Sequence, residues 1–356
     1  MIGEGTNGVA YQTIGVVGAG AWGTALAESA AQAGREVKLW AYERDTVEEI
    51  NHHHSNRVYL PGVTLSATIE ATARTSQVAA ADLIVMVVPS QFFRSIVKEF
   101  APYLSGKPVI IGTKGFEEGS GKLMSAILAE IAPEALPGVI TGPSFAGEVA
   151  RGLPAALTIA ARDEQLGDAA ANTLGSRSLR LYWTDDMLGV QVGGAVKNVL
   201  AIASGIVAGR RLGSNAQAGL ITRGFAELMR FGIGMGARAE TLTGLSGLGD
   251  LILTCSSPQS RNMSLGYALG EGKSLTDILG SRRSVSEGAH SAAAVVSLAR
   301  EKGIEMPICE AVSAVLAGEM DVDAGITALL SRPFRAEADH DRRPPAKPHR
   351  ARRNSR

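Results

Sequence analysis

Cysteine is scarce in this chain: 356 residues contain only Cys255 and Cys309, and no C-x-x-C pair occurs. Two thiols cannot build a disulfide framework and no zinc spacing is present, so a reducing compartment is expected. An excess of charge of one sign is missing too, because 35 Lys and Arg balance 35 Asp and Glu. Net charge therefore implies neither a nucleic-acid surface nor attraction to an anionic membrane, although charge gathered in one pocket escapes such a sum. The longest apolar run lies near Leu83–Val88, far short of the roughly 20 residues a bilayer requires. Met1 to Gln12 is glycine-rich and polar, without the basic start or apolar middle of a signal peptide. These absences lead us to expect a cytosolic protein with no stable membrane insertion and no nucleic-acid partner.

What is present is alternation. The length suits about two domains of roughly 150 residues each. Its first half alternates short β-branched runs with longer amphipathic stretches, the pattern of βαβ units around a mostly parallel sheet. Strands are expected at Thr13–Val17, Glu36–Trp40, Leu83–Val88, Pro108–Gly112 and Val139–Thr141. Segments 156–160 and 179–183 should extend or edge the same sheet. From about Asp186 strands vanish, and Ala, Gly and Leu recur in long helical windows whose small residues allow close packing. The fold class expected is α/β: a Rossmann-like doubly wound domain over 13–187, then an all-helical domain over 188–334. An extension over 1–12 precedes them. A basic tail over 335–356 follows, too poor in apolar residues to order itself.

The first strand runs directly into Gly18-Ala19-Gly20-Ala21-Trp22-Gly23 and then a helical stretch. In that context Gly18 permits a tight turn, Gly20 admits a pyrophosphate, and Gly23 lets helix and strand approach. The helix N-terminus then offers N–H groups to phosphate. After the second strand, Glu43 would bond a ribose 2′-hydroxyl and Arg44 would meet a 2′-phosphate, so both cofactor types stay open.

Further polar residues follow later strands. Lys114, in Gly112-Thr113-Lys114-Gly115, brings an ammonium to the same carboxyl edge, and the Gly142-Pro143-Ser144 turn aims backbone donors or a hydroxyl there. Lys197 stands in an apolar, small-residue helical run and either snorkels to solvent or is partly desolvated, in which case its lowered pKa would suit it to exchange protons with a carbonyl oxygen. Asp250 closes the glycine-rich Gly244–Gly249 stretch and either caps the next helix or pairs with Lys197. Ser260-Arg261-Asn262 sets a guanidinium beside an amide, a combination suited to phosphate. Other features read as structural: His52-His53-His54 as a solvated stretch, and Arg223 with Glu227 as a helix-face pair. Cys255 lacks an activating histidine and is a weak nucleophile candidate.

Taken together, residues 13–330 resemble the bacterial NAD(P)-dependent glycerol-3-phosphate dehydrogenases, through GAGAWGTALA at Gly18–Ala27, Val88-Pro89-Ser90, Thr113-Lys114-Gly115, GPSFA at Gly142–Ala146, GGAVKNV at Gly193–Val199, GLGDLILT at Gly247–Thr254 and QSRN at Gln259–Asn262. The resemblance implies reversible reduction of dihydroxyacetone phosphate to sn-glycerol 3-phosphate in a cleft between the two domains. It implies Lys197 as proton donor and acceptor, Lys114 as substrate orienter and Asp250 as the support of the lysine. Gly142 and Ser144 would touch the substrate, with Ser260, Arg261 and Asn262 at its phosphate. The cofactor, NADP or NAD with NADPH slightly favoured, would meet Gly18, Gly20, Ala21, Trp22, Gly23, Tyr42, Lys114, Ala146, Arg261, Val285 and Glu287. No metal is expected, the small-molecule substrate is the main partner, and a homodimer is compatible. The segment after Glu287-Gly288 departs from the family in reading Ala289-His290 where an aromatic is common. A hydroxy-acid or sugar-nucleotide dehydrogenase and a non-catalytic dinucleotide binder are the rival readings.

Overall fold

The structure, a computed structural model, describes residues 10–280 and 287–333. Val285, the expected disordered tail over 335–356 and most of the extension over 1–12 lie outside the described residues.

Ten strands are described: β1 (Thr13–Val17), β2 (Glu36–Trp40), β3 (Ser55–Asn56), β4 (Leu60–Thr64), β5 (Ile69–Thr72), β6 (Leu83–Met86), β7 (Pro108–Ile111), β8 (Leu136–Thr141), β9 (Ala155–Ala161) and β10 (Leu179–Thr184). Eight of them form one sheet in the order β10-β9-β8-β7-β6-β1-β2-β5, while β3 and β4 pair as a small hairpin. The run from β5 to β8 is parallel, so β1, β7 and β8 end at the same carboxyl edge. β9 then returns antiparallel to β8 and carries β10 beside it. Helices cover both faces, which is why β6 and β7 are apolar without alternation: every residue is buried. Ile14 and Val16 join the core on one face and Val17 the core on the other.

After Thr184 the described residues are helical. Asp186 starts this half by accepting the Gly189 N–H at 2.8 Å, and its other oxygen accepts the Arg238 N–H at 2.9 Å. The axis of the half is the helix Met187–Gly209, buried continuously from Gly189 to Val207. This segment is long and apolar enough to cross a membrane, contrary to the expectation that no run approached that length, but it is enclosed by protein. A helix apolar all round is buried all round. Close packing depends on absent side chains, since a Cβ on Gly205 would lie 2.0 Å from the Met263 carbonyl, and one on Gly266 1.9 Å from that of Ile202.

Candidate active site

The turn after β1 forms a cradle at the N-terminus of helix Ala21–Gln32. No side chain caps that helix, so its first N–H groups remain for an anion. A Cβ on Gly23 would come within 1.9 Å of the Gly18 carbonyl, which is the close approach expected of the third glycine. Gly20 faces open space. Trp22, in the first turn, holds a buried indole Nε1 without a hydrogen-bond partner. An open glycine, uncapped N–H groups and an orphaned donor together fit a dinucleotide pyrophosphate. The β3–β4 hairpin braces the turn, because Asn56 Nδ2 donates to the Ala19 carbonyl at 2.9 Å. At the end of β2, Tyr42 is 79% exposed and Glu43 Oε1 accepts the Tyr59 hydroxyl at 3.1 Å.

Farther along the same edge the two halves meet in a charged cluster. Lys114 leaves β7 in a loop held by Thr113, whose hydroxyl donates to the Val88 carbonyl at 2.7 Å. Lys197 rises from the middle of helix Met187–Gly209. Asp250 begins helix Asp250–Ser256 after a wide π turn over Leu245–Gly249. That turn packs against the long helix where Gly193 replaces a larger residue: a Cβ there would sit 2.5 Å from the Ser246 carbonyl. Lys197 Nζ lies 2.5 Å from Asp250 Oδ1, and Lys114 Nζ lies 2.9 Å from Oδ2. One carboxylate thus spans both ammoniums rather than capping its own helix.

Burial lowers the Lys197 ammonium to about 8, with Lys114 adding to the fall and Asp250 opposing it. For Asp250 burial pushes upward, but Lys114 and Lys197 outweigh it and hold the carboxyl below its ordinary range. A proton on Lys197 is accordingly far more easily given up than on a solvated lysine.

Ser144, after β8, donates its hydroxyl to the Gly142 carbonyl at 2.9 Å. Ser260 serves as the cap of helix Arg261–Gly270, accepting the Met263 N–H at 3.2 Å, which sets exposed Arg261 and buried Asn262 in its first turn. Asn262 is already engaged: its Oδ1 accepts the Gly288 N–H at 3.0 Å and its amide donates to Asn198 Oδ1 at 2.9 Å. One amide hydrogen remains for a ligand. Ala146 opens helix Ala146–Ala150, and Glu148 of that helix accepts from Gln259 of the other half at 3.3 Å. Glu287 keeps some surface open yet is closely surrounded; burial pushes its carboxyl up against the pull of Arg261, Lys114, Lys197 and His290.

Two contributors escaped the sequence reading. Thr254 accepts from Lys197 Nζ at 2.9 Å and donates to Asp250 Oδ1 at 3.3 Å, and Asn198 anchors Asn262. The signals were available: Thr254 stands one helical turn after Asp250, and Asn198 is the one amide beside Lys197. The Arg223–Glu227 pair does not form; Arg223 is exposed, whereas Glu227 is 1% exposed and accepts the Ile308 and Cys309 N–H groups. His52 and His53 are exposed. Burial pushes the Cys255 thiol up to about 12, which leaves it without thiolate character.

Comparison with known proteins gives the family. Residues 13–167 match the NAD-dependent glycerol-3-phosphate dehydrogenase N-terminus, and residues 186–327 the corresponding C-terminus. A glycerol-3-phosphate dehydrogenase (NAD(P)+) of Parvibaculum lavamentivorans is 56% identical over 330 residues, 92% of this chain and 99% of its own length. One from Maricaulis maris is 54% identical over 328 residues, 92% of this chain and 98% of its own. The crystal structure of glycerol-3-phosphate dehydrogenase from Coxiella burnetii, 39% identical, superposes with a TM-score of 0.87 over 90% of this chain and 99% of that one. With both halves matched in order and the charged cluster assembled between them, the chain belongs to the NAD-dependent glycerol-3-phosphate dehydrogenase family.

Proposed function

We infer that the protein catalyses reversible NAD(P)H-dependent reduction of dihydroxyacetone phosphate to sn-glycerol 3-phosphate, the backbone of glycerophospholipids. The observation carrying this reading is the buried Lys197–Asp250–Lys114 cluster at the edge that also holds the dinucleotide cradle. When bound, the nicotinamide supplies hydride to the carbonyl carbon. Lys197 gives its Nζ proton to the carbonyl oxygen and recovers it in the reverse direction. Asp250 holds Lys197 in place, and Lys114 adds a second positive charge where oxyanion character develops. Gly142 and Ser144 orient the substrate, while Ser260, Arg261 and Asn262 receive its phosphate. Gly18, Gly20, Ala21, Trp22, Gly23, Tyr42, Ala146, Val285 and Glu287 hold the dinucleotide, with Lys114 and Arg261 shared between the two ligands.

The rival chemistry of a thiol-dependent sugar-nucleotide dehydrogenase is disfavoured by the inert setting of Cys255. In this reading the enzyme is cytoplasmic, acts on a small molecule and is compatible with a homodimer, with no nucleic-acid partner and no stable membrane insertion. The test is consumption of NADH or NADPH with dihydroxyacetone phosphate. Lys197→Ala is expected to lower kcat/KM by at least about a thousandfold, since it removes both a general acid and a charge. Wild type inactive with either cofactor sinks the assignment, whereas an unimpaired variant sinks the role of Lys197 alone.

A further inference from the structure

The end of β8 carries a polar atom that stands outside the charged cluster. Thr141, the last residue of that strand and the one before Gly142, is 2% exposed, and among the described residues its Oγ1 is buried without a hydrogen-bond partner. A buried hydroxyl that makes no bond costs stability, so its retention in a core calls for a reason. Its surroundings supply one. A Cβ on Gly194 would lie 2.9 Å from Thr141 Oγ1 and 3.6 Å from Lys114 Cγ, so the bare glycine leaves this hydroxyl beside the Lys114 stem. Gly194 also stands three residues before Lys197 on helix Met187–Gly209, on the same face, and helical side chains lean back over the preceding turn. Thr141 Oγ1 therefore lies between the elements that present the two lysines. Ser144, the other hydroxyl at this strand end, has its proton engaged by the Gly142 carbonyl at 2.9 Å. The Thr141 hydroxyl has both its donor and its acceptor capacity unused.

We propose that Thr141 holds the free C1 hydroxyl of dihydroxyacetone phosphate and so selects it over phosphorylated ketones that lack that hydroxyl, a proposal that rests on the dihydroxyacetone phosphate reading of the site. The substrate's polar groups call for different partners. Its phosphate suits the Arg261 guanidinium, and its carbonyl oxygen suits the Lys197 proton. The hydroxymethyl arm on the other side of the carbonyl carbon is neutral, and a threonine hydroxyl can both donate to it and accept from it without bringing a charge. Gly194, bare of any side chain, lets that arm reach the strand end past the helix. A ketone with a methyl group in that place would leave the Thr141 hydroxyl buried and unpaired, and a site built to bond a substrate hydroxyl rejects the analogue without it.

The test sets dihydroxyacetone phosphate against acetol phosphate, which carries a methyl group in place of the hydroxymethyl, in steady-state kinetics on the full chain. Wild type is expected to favour dihydroxyacetone phosphate by at least about a hundredfold in kcat/KM. Thr141→Val, nearly the same shape without the hydroxyl, should shrink that gap to about tenfold or less, the loss falling on dihydroxyacetone phosphate, while the KM for the dinucleotide stays within about twofold. Thr141→Ser keeps the hydroxyl and should hold the gap within about threefold of wild type. Equal use of the two ketones by wild type, an undiminished gap in Thr141→Val, or a gap lost in Thr141→Ser overturns the proposal alone. Wild type that reduces neither ketone with either dinucleotide overturns it together with the dihydroxyacetone phosphate reading.

Discussion

At the scale of single residues, Lys197 owes its character to opposed forces among which burial is the largest. Burial and Lys114 push its proton off while Asp250 holds it on, leaving the ammonium at about 8. In the acid–base role proposed for Lys197 reduction needs the protonated form, so its kcat/KM should fall as pH rises through about 8, and oxidation, which needs the neutral amine, should rise across the same window. Asp250→Asn removes the only large upward pull, so the inflection should move to lower pH and kcat/KM at pH 7 should drop about a hundredfold. A pH–rate profile whose inflection stays put in the variant would show that the carboxylate does not govern this proton. Lys114, Lys197 and Asp250 were visible in the sequence because each is a charge in a glycine-rich or apolar setting that gives it no obvious solvent role. Thr254 was passed over, because its place one helical turn after Asp250 becomes telling only once the fold sets it against a lysine 57 positions away.

Secondary elements carry a second pH dependence. Glu227, on helix Ser214–Met235, caps helix Pro307–Leu316 by accepting N–H groups at 2.7 and 3.2 Å. Burial raises its carboxyl to about 7 against the downward pull of those same donors. Because the folded value exceeds the ordinary 4.5, the stability linked to the protonated form is complete below about 4.5 and is lost as pH rises through about 7. Glu227→Gln keeps an acceptor oxygen and cannot ionise, so its Tm should decline less than wild type between pH 5 and 8. Glu227→Ala strands both N–H groups and should cost about 1–3 kcal/mol at pH 5, where the wild-type carboxyl is protonated. A Gln variant whose Tm tracks wild type throughout would remove Glu227 as the source. Spacing alone made Glu227 look like the partner of Arg223; its true partners lie on another helix. The central strands were readable because burial on both faces makes them continuously apolar. β3, β4 and β5 were not: they are short, β4 contains Pro61-Gly62, and β5 alternates too briefly to stand out from a loop.

Across the whole molecule, neither half holds the charged cluster alone, since Lys114 comes from the sheet and Lys197 and Asp250 from the helices. The composition change near Asp186 separates the halves but says nothing of how they are fastened. Gln191 makes one fastening, accepting the Ser125 N–H at 3.0 Å and donating to its hydroxyl at 2.8 Å. Phe116 makes another: two residues after Lys114, it is 1% exposed within the helical core and meets Phe231 edge-on, centroids 6.2 Å apart at 80°. Nothing around Phe116 in the sequence points to that burial, because its neighbours are loop residues of the first half. The same loop is tied back to the sheet side by Arg94, which pairs with Glu117 at 2.6 Å. Lys114 is thus clamped between an aromatic plug in one half and an ion pair in the other. Phe116→Ala should cost about 3–5 kcal/mol through the cavity it leaves. If the plug also sets the Lys114–Asp250 distance, the KM for dihydroxyacetone phosphate should rise several-fold while that for the dinucleotide changes little, and Phe116→Leu, which refills most of the space, should restore both. Steady-state kinetics at a temperature well below the variant's Tm separates the two effects: a destabilised Ala variant with wild-type KM values would reduce Phe116 to packing, with no hand in placing the lysine.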